Sequence, residues 1–131
     1  MTTELTMLVY AAGLLIVLIG IQASVGVSAM GFKTAAGPRD ETPPPTPFQA
    51  RTKRVVDNHR EGLTVFAPIV LAAAVAGVSN EWTVLGAQLF FYSRVAHAVI
   101  YLAGLPMVRP LAFFVGLAGT IMVLLAALGV I

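Results

Sequence analysis

Four long apolar stretches alternate with three polar breaks along the chain. The first runs from Leu5 to Met30, apolar apart from Thr6, Gln22 and a few serines. A helix rises about 1.5 Å per residue, so roughly 20 residues cross a hydrocarbon core about 30 Å thick. This stretch is long enough to do so. It reads as a membrane helix rather than a cleaved signal peptide: the residues before it carry Glu4 and no Lys or Arg, and it exceeds the usual apolar length of such peptides. Gly31 to Ala50 reads as a loop. Gly37-Pro38, Pro43-Pro44-Pro45 and Pro47 are expected to stay outside any helix, because proline lacks an N–H and clashes with the preceding turn. The three consecutive prolines favour a stiff, extended spacer.

A second helix is expected to start between Phe48 and Arg54 and to run to about Ser79, with Pro68 kinking it. Val78-Ser79-Asn80-Glu81 is a tight polar turn. A third helix spans about 81–103, with Trp82 as an interfacial anchor and Gly104 and Pro106 ending it. A fourth covers about 107–130 and has no charge from Leu111 to Ile131. The pattern predicts an all-α fold in a single domain over residues 1–131. Its architecture is an integral membrane four-helix bundle, with helices at about 5–30, 52–79, 81–103 and 107–130.

Composition agrees. Of 131 residues, 58% are hydrophobic and 11% charged, against roughly a quarter charged in a soluble domain. The net charge of +2 does not mark a nucleic-acid binder, because eight basic residues in no dense run make no phosphate-tracking surface. With no cysteine, disulfides, thiolate catalysis and Cys-based metal sites are excluded. Lys33, Arg39, Arg51, Lys53 and Arg54 flank the first loop and Arg109 sits by the third, whereas the opposite ends carry only Glu4 and Glu81. The excess of positive charge places the 31–51 loop in the cytoplasm and both termini outside.

The polar side chains within this apolar frame are the candidates for chemistry. Arg54-Val55-Val56-Asp57-Asn58-His59-Arg60-Glu61 stands at the mouth of a charge-free run from Gly62 to Ser79. Arg54, Asn58 and Glu61 are spaced i, i+4, i+7 and share a helix face. In the third helix Arg94, His97 and Tyr101 share another. A charge at the centre of a membrane helix costs roughly 2.5–3.5 kcal/mol, so these groups need partners or a task. One reading is structural, with Glu61 pairing an Arg to staple two helices. The other is a polar ligand site open to the cytoplasm, where the two sets meet Arg109. Several guanidinium groups with an amide, a carboxylate and a phenol suit a small ligand bearing carboxylates and an amine. His59, His97 and Glu61 lack the spacing of a metal motif, and no phosphate-binding glycine loop or nucleophile elbow is present.

The stretches RVVDNHREGLTVFAPIV and RVAHAVIYLAGLPMVRPLAFF resemble the MAPEG family, membrane-associated proteins in eicosanoid and glutathione metabolism. The likeness covers about residues 5–130. RVAHxVxYL followed by an arginine is similar to the microsomal prostaglandin E synthase branch, and the AGPRDETPPP loop to bacterial members. The resemblance implies a homotrimer of four-helix subunits in the membrane, for a bacterial-type member the inner membrane. Glutathione would bind between subunits near the cytoplasmic face as co-substrate. Arg54, Asn58 and Glu61 match the helix-two contacts to glutathione; Arg94, His97 and Tyr101 match the helix-three set. Arg109 matches the arginine that stabilises the glutathione thiolate. The implied activity is glutathione-dependent transfer to, or reduction of, lipophilic electrophiles arriving from the lipid. Asp57 departs from the family pattern, which usually has a basic or small residue there. The alternative is a non-catalytic membrane scaffold or lipid-binding protein in which the same polar residues join subunits.

Overall fold

The computed structural model describes residues 1–131, and every element in it is helical. Helix α1 spans Thr3–Met30, capped by the Thr2 side chain, which accepts from the Leu5 amide. Its first turn therefore takes in Glu4, which lies outside the apolar stretch.

The region expected to be loop contains a short helix, α2, at Phe32–Ala36. Helix α3 spans Pro47–Val75. Pro47, expected to lie outside any helix, occupies its first turn, where the missing N–H would have had no helical partner. Thr46 and Gln49 close a capping box around that start: Thr46 Oγ1 accepts from the Gln49 amide, and Gln49 Oε1 from the Thr46 amide. Helix α3 runs unbroken through Pro68. It stops short of Ser79 because Gly77 turns left-handed at φ 71°, letting the amides of Gly77 and Val78 reach back to Ala74 and Ala73.

Helix α4 spans Glu81–Ala103. Asn80 Oδ1 accepts from the amides of Trp82 and Thr83, and left-handed Gly104 closes the far end. Helix α5 spans Arg109–Ala127, again with a proline in its first turn.

The four long helices pack side by side. Helices α3 and α4 lie between α1 and α5, whose backbones stay apart. The α4–α5 seam is the tightest. A Cβ on Gly86 would lie 2.6 Å from the Gly119 carbonyl oxygen and 2.8 Å from Val123, so only glycine admits this approach. Two apolar clusters fill the interior. One joins Met7, Ala11, Phe66, Val70, Ala87, Phe90 and Val123. In it the Phe66 and Phe90 rings stack 3.9 Å apart. The other joins Leu18, Val55, Val56, Ala98 and Tyr101.

Only 27 of the 131 residues are buried, and large apolar side chains such as Ile16, Leu71, Val99 and Phe114 stand on the outside of all four long helices. Water would not tolerate so continuous an apolar surface, but lipid would. By length and apolarity alone, α1 and α5 are sufficient to cross a membrane. Helices α3 and α4 carry the polar residues that lower their apolarity.

Candidate functional site

Between the two apolar clusters lies a polar layer. In α3 the buried positions Thr52, Val55, Val56, His59, Phe66, Val70 and Ala73 repeat at helical spacing. This stripe turns His59 inward, 1% exposed. Its Nε2 lies 2.7 Å from the Ala11 carbonyl oxygen on α1. A carbonyl only accepts, so Nε2 carries the proton and donates. Nδ1 is left buried without a partner.

From α4, Arg94 and His97 enter the same layer, 4% and 1% exposed. Arg94 passes between two helices at glycines. A Cβ on Gly62 of α3 would lie 3.8 Å from its guanidinium carbon, and one on Gly116 of α5 3.7 Å from its Cδ. Its Nε and Nη2 are buried and donate to nothing. Glu61, next to Gly62, is the acidic group whose charge bears on Arg94. The two make no ion pair, since the only ion pairs join Asp57 to Lys53, at 2.7 Å, and to Arg60, at 3.6 Å. The staple between Glu61 and an arginine is therefore not formed within one chain.

One turn further on, the His97 ring packs edge-on against Tyr101, with centroids 5.6 Å apart. The guanidinium carbon of Arg109, at the start of α5, lies 4.9 Å from the centre of the Tyr101 ring. Arg109 is itself exposed. Arg94, His97, Tyr101 and Arg109 thus form a descent from the buried layer to the end of the helices. The Phe66–Phe90 stack closes the other direction.

The convergence expected from sequence is partial. Asn58 is half-buried, while Arg54 and Glu61 are exposed on α3, away from the stripe that holds His59. Arg54 instead lines a groove with Gln22 and Arg39. Asp57, the residue that departs from the family pattern, has its charge taken up by Lys53 and Arg60.

Two features were not singled out from the sequence. In the sequence His59 stands as one polar residue of its stretch and, with His97 and Glu61, as a set without metal-motif spacing. Its signal is its spacing, four residues after Val55, three after Val56 and seven before Phe66, which puts it on their side of the helix. In the sequence Glu4 stands only as a charge ahead of the first apolar stretch. It is 4% exposed, and one of its oxygens accepts hydrogen bonds from Ser79, at 2.8 Å, and from Thr83. Nothing local to Glu4 forecasts partners 75 and 79 residues away.

No curated protein and no solved structure matches this chain. Comparison with protein families gives a match over residues 7–129, which takes in α1, the polar layer and Arg109. On that match the chain belongs to the MAPEG family.

Proposed function

We propose that this membrane protein catalyses glutathione-dependent conjugation or reduction of lipophilic electrophiles. The observation that carries the reading is the buried Arg94, with two guanidinium nitrogens lacking any acceptor, linked through His97 and Tyr101 to exposed Arg109. A buried cation without an acceptor is costly to keep. A ligand carboxylate would satisfy it, and glutathione offers two. Arg54, Asn58 and Glu61 would meet the rest of the ligand, with Glu61 placed for its amino group.

Arg109, held over Tyr101, would stabilise the thiolate by charge. The thiol proton leaves to solvent and the sulfur forms a bond to the electrophilic carbon. As it does, that carbon's bond to its leaving group, or its π bond, breaks, and the released electron pair takes a proton from solvent. In reduction of a peroxide the sulfur takes the outer oxygen while the other leaves as the alcohol, and a second glutathione then displaces water to give the disulfide. The protein needs no cysteine, because the ligand brings the sulfur. The family match and the apolar exterior support placement in a membrane, in a bacterium the inner one, with the basic loop cytoplasmic. Arg54 and Glu61 lie on an outward face, which fits a homotrimer whose sites form between neighbouring subunits.

Calorimetry on the detergent-solubilised protein tests this. Saturable glutathione binding, weakened in Arg109→Ala, is expected. No binding at millimolar glutathione would refute the reading. It would leave the second one, a membrane scaffold. That reading is favoured by the outward placement of Arg54 and Glu61, which would then only join subunits.

A further inference from the structure

A groove of about 720 Å³ runs between the second half of α1, the loop after α2 and the first two turns of α3. Arg39, Lys53 and Arg54 project to its lining, and no carboxylate lines it. Opposite them stands α1, presenting Ile19, Ala23, Gly26 and Met30. We propose that this groove binds an anionic phospholipid, with its phosphate on the basic wall and an acyl chain along α1.

Three observations carry the assignment. The first is charge. Lys53 is shared with Asp57, but neither Arg39 nor Arg54 forms an ion pair. A phosphodiester offers two oxygens of the right geometry to a guanidinium.

The second is the way Arg39 is held. Its backbone is left-handed at φ 61°, a region that a residue with a Cβ rarely adopts. Its Nε donates to the Ala35 carbonyl at 2.8 Å. That bond fixes the side chain and leaves both terminal nitrogens without a partner in the chain. A strained backbone kept in place by its own side chain is the mark of a positioned group.

The third is the mixed character of the walls. Gln22 and Gln49 add amides on the polar side; Gln49 Oε1 is taken by the Thr46 amide, so its NH₂ is free to donate. The apolar side is part of a helix long enough to cross the membrane. A Cβ on Gly26 would meet only the end of Met30, so the wall there is shallow and open to a chain. A soluble anion would satisfy the arginines and leave α1 uncovered, whereas a phospholipid covers both. The groove lies at the end of the helices that holds the basic residues, where headgroups of the inner leaflet would sit.

This inference does not rest on the glutathione reading, and its test avoids Arg54, which both use. Full-length protein in neutral detergent is titrated with phosphatidylglycerol or phosphatidylcholine, with binding read by native mass spectrometry and stability by the unfolding midpoint. Phosphatidylglycerol is expected to be retained and to raise the midpoint, and phosphatidylcholine to do neither. Arg39→Ala should weaken retention by about tenfold, as loss of a charge-assisted hydrogen bond implies. Lys53→Gln, which leaves the Arg39–Ala35 bond intact, should weaken it less. If Arg39→Ala fails to fold, Lys53→Gln carries the test and must still weaken retention.

Equal retention of the two lipids would overturn the proposal. So would undiminished retention in both variants, or displacement of phosphatidylglycerol by inorganic phosphate, which would make this a soluble-anion site. Arg109→Ala should leave lipid retention unchanged, so failure of the glutathione reading and failure of this one are separately visible.

Discussion

His59 donates from Nε2 to the carbonyl oxygen of Ala11, 2.7 Å away, tying α3 to α1 across 48 residues of sequence. The bond lies where both groups are buried, so no water replaces it when it is lost. His59→Leu removes it while keeping volume and is expected to cost about 1 kcal/mol, the usual net value of such a bond. His59→Ala should cost more, because it also leaves a cavity. Unfolding midpoints in detergent check both, and an unperturbed His59→Leu would show that the tie contributes nothing.

Glu4 makes a second tie, at the end of the helices away from the basic loop. Its carboxylate accepts from Ser79 and Thr83 and so fastens α1 to the turn between α3 and α4. Glu4→Ala takes the acceptor from the Ser79 hydroxyl and leaves that of Thr83 only the Asn80 carbonyl, 2.9 Å away, and should destabilise by about 2–3 kcal/mol, as loss of hydrogen bonds to a charged group does. Glu4→Gln keeps one acceptor oxygen and should recover part of the loss. Faster amide exchange over residues 76–83 in Glu4→Ala would locate the effect.

The α4–α5 seam is predicted to reject a single methyl group. A Cβ on Gly86 would stand 2.6 Å from the Gly119 carbonyl oxygen, and one on Gly119 would stand 2.9 Å from the Phe90 amide nitrogen. Backbone cannot give way as a side chain can, so Gly86→Ala and Gly119→Ala should each cost about 1–3 kcal/mol or more. By contrast, a Cβ on Gly13 or Gly20 meets nothing within 4 Å in the chain. Gly20→Ala is therefore expected to leave unfolding of the subunit unharmed.

Arg109 is expected to act without holding the chain together. It is exposed, and its one defined contact is the Tyr101 ring at 4.9 Å. Arg109→Ala should abolish turnover of a model electrophile with glutathione and leave the oligomer intact by light scattering. Loss of the oligomer instead would favour the scaffold reading.

Glu61→Gln is expected to weaken both glutathione binding and assembly. Glu61 bears on Arg94, which has no other acid near it, and removing that charge leaves a buried arginine uncompensated. Calorimetry and size-exclusion profiles of the variant check the two effects, and an unchanged protein would refute the coupling.

Much of the fold was legible in the sequence. Apolar stretches of membrane length report helices, because in lipid each backbone polar group must be satisfied within its own segment. Gly104 and Pro106 reported the end of α4, because they act through local backbone geometry. The start of α3 was blurred, since Pro47 is forbidden inside a helix and welcome in its first turn. Short-range spacing also placed Arg94, His97 and Tyr101 on one face, and they do share the interior.

What only the tertiary structure decided is which groups on distant helices meet across the inward faces. Along α3 two polar sets compete, Arg54 with Asn58 and Glu61 on one side and His59 on another. The apolar stripe of Val55, Val56 and Phe66 marks the His59 side as the inner one, but it does not name what His59 meets there. The partners follow from the packing: His59 meets the Ala11 carbonyl on α1, and Arg94 lies against Gly62 of α3 and Gly116 of α5. Those fits depend on pairs of residues far apart in the chain. A sequence determines local conformation through nearest neighbours, whereas burial, partners and unmet hydrogen bonds arise only when distant surfaces are brought into contact.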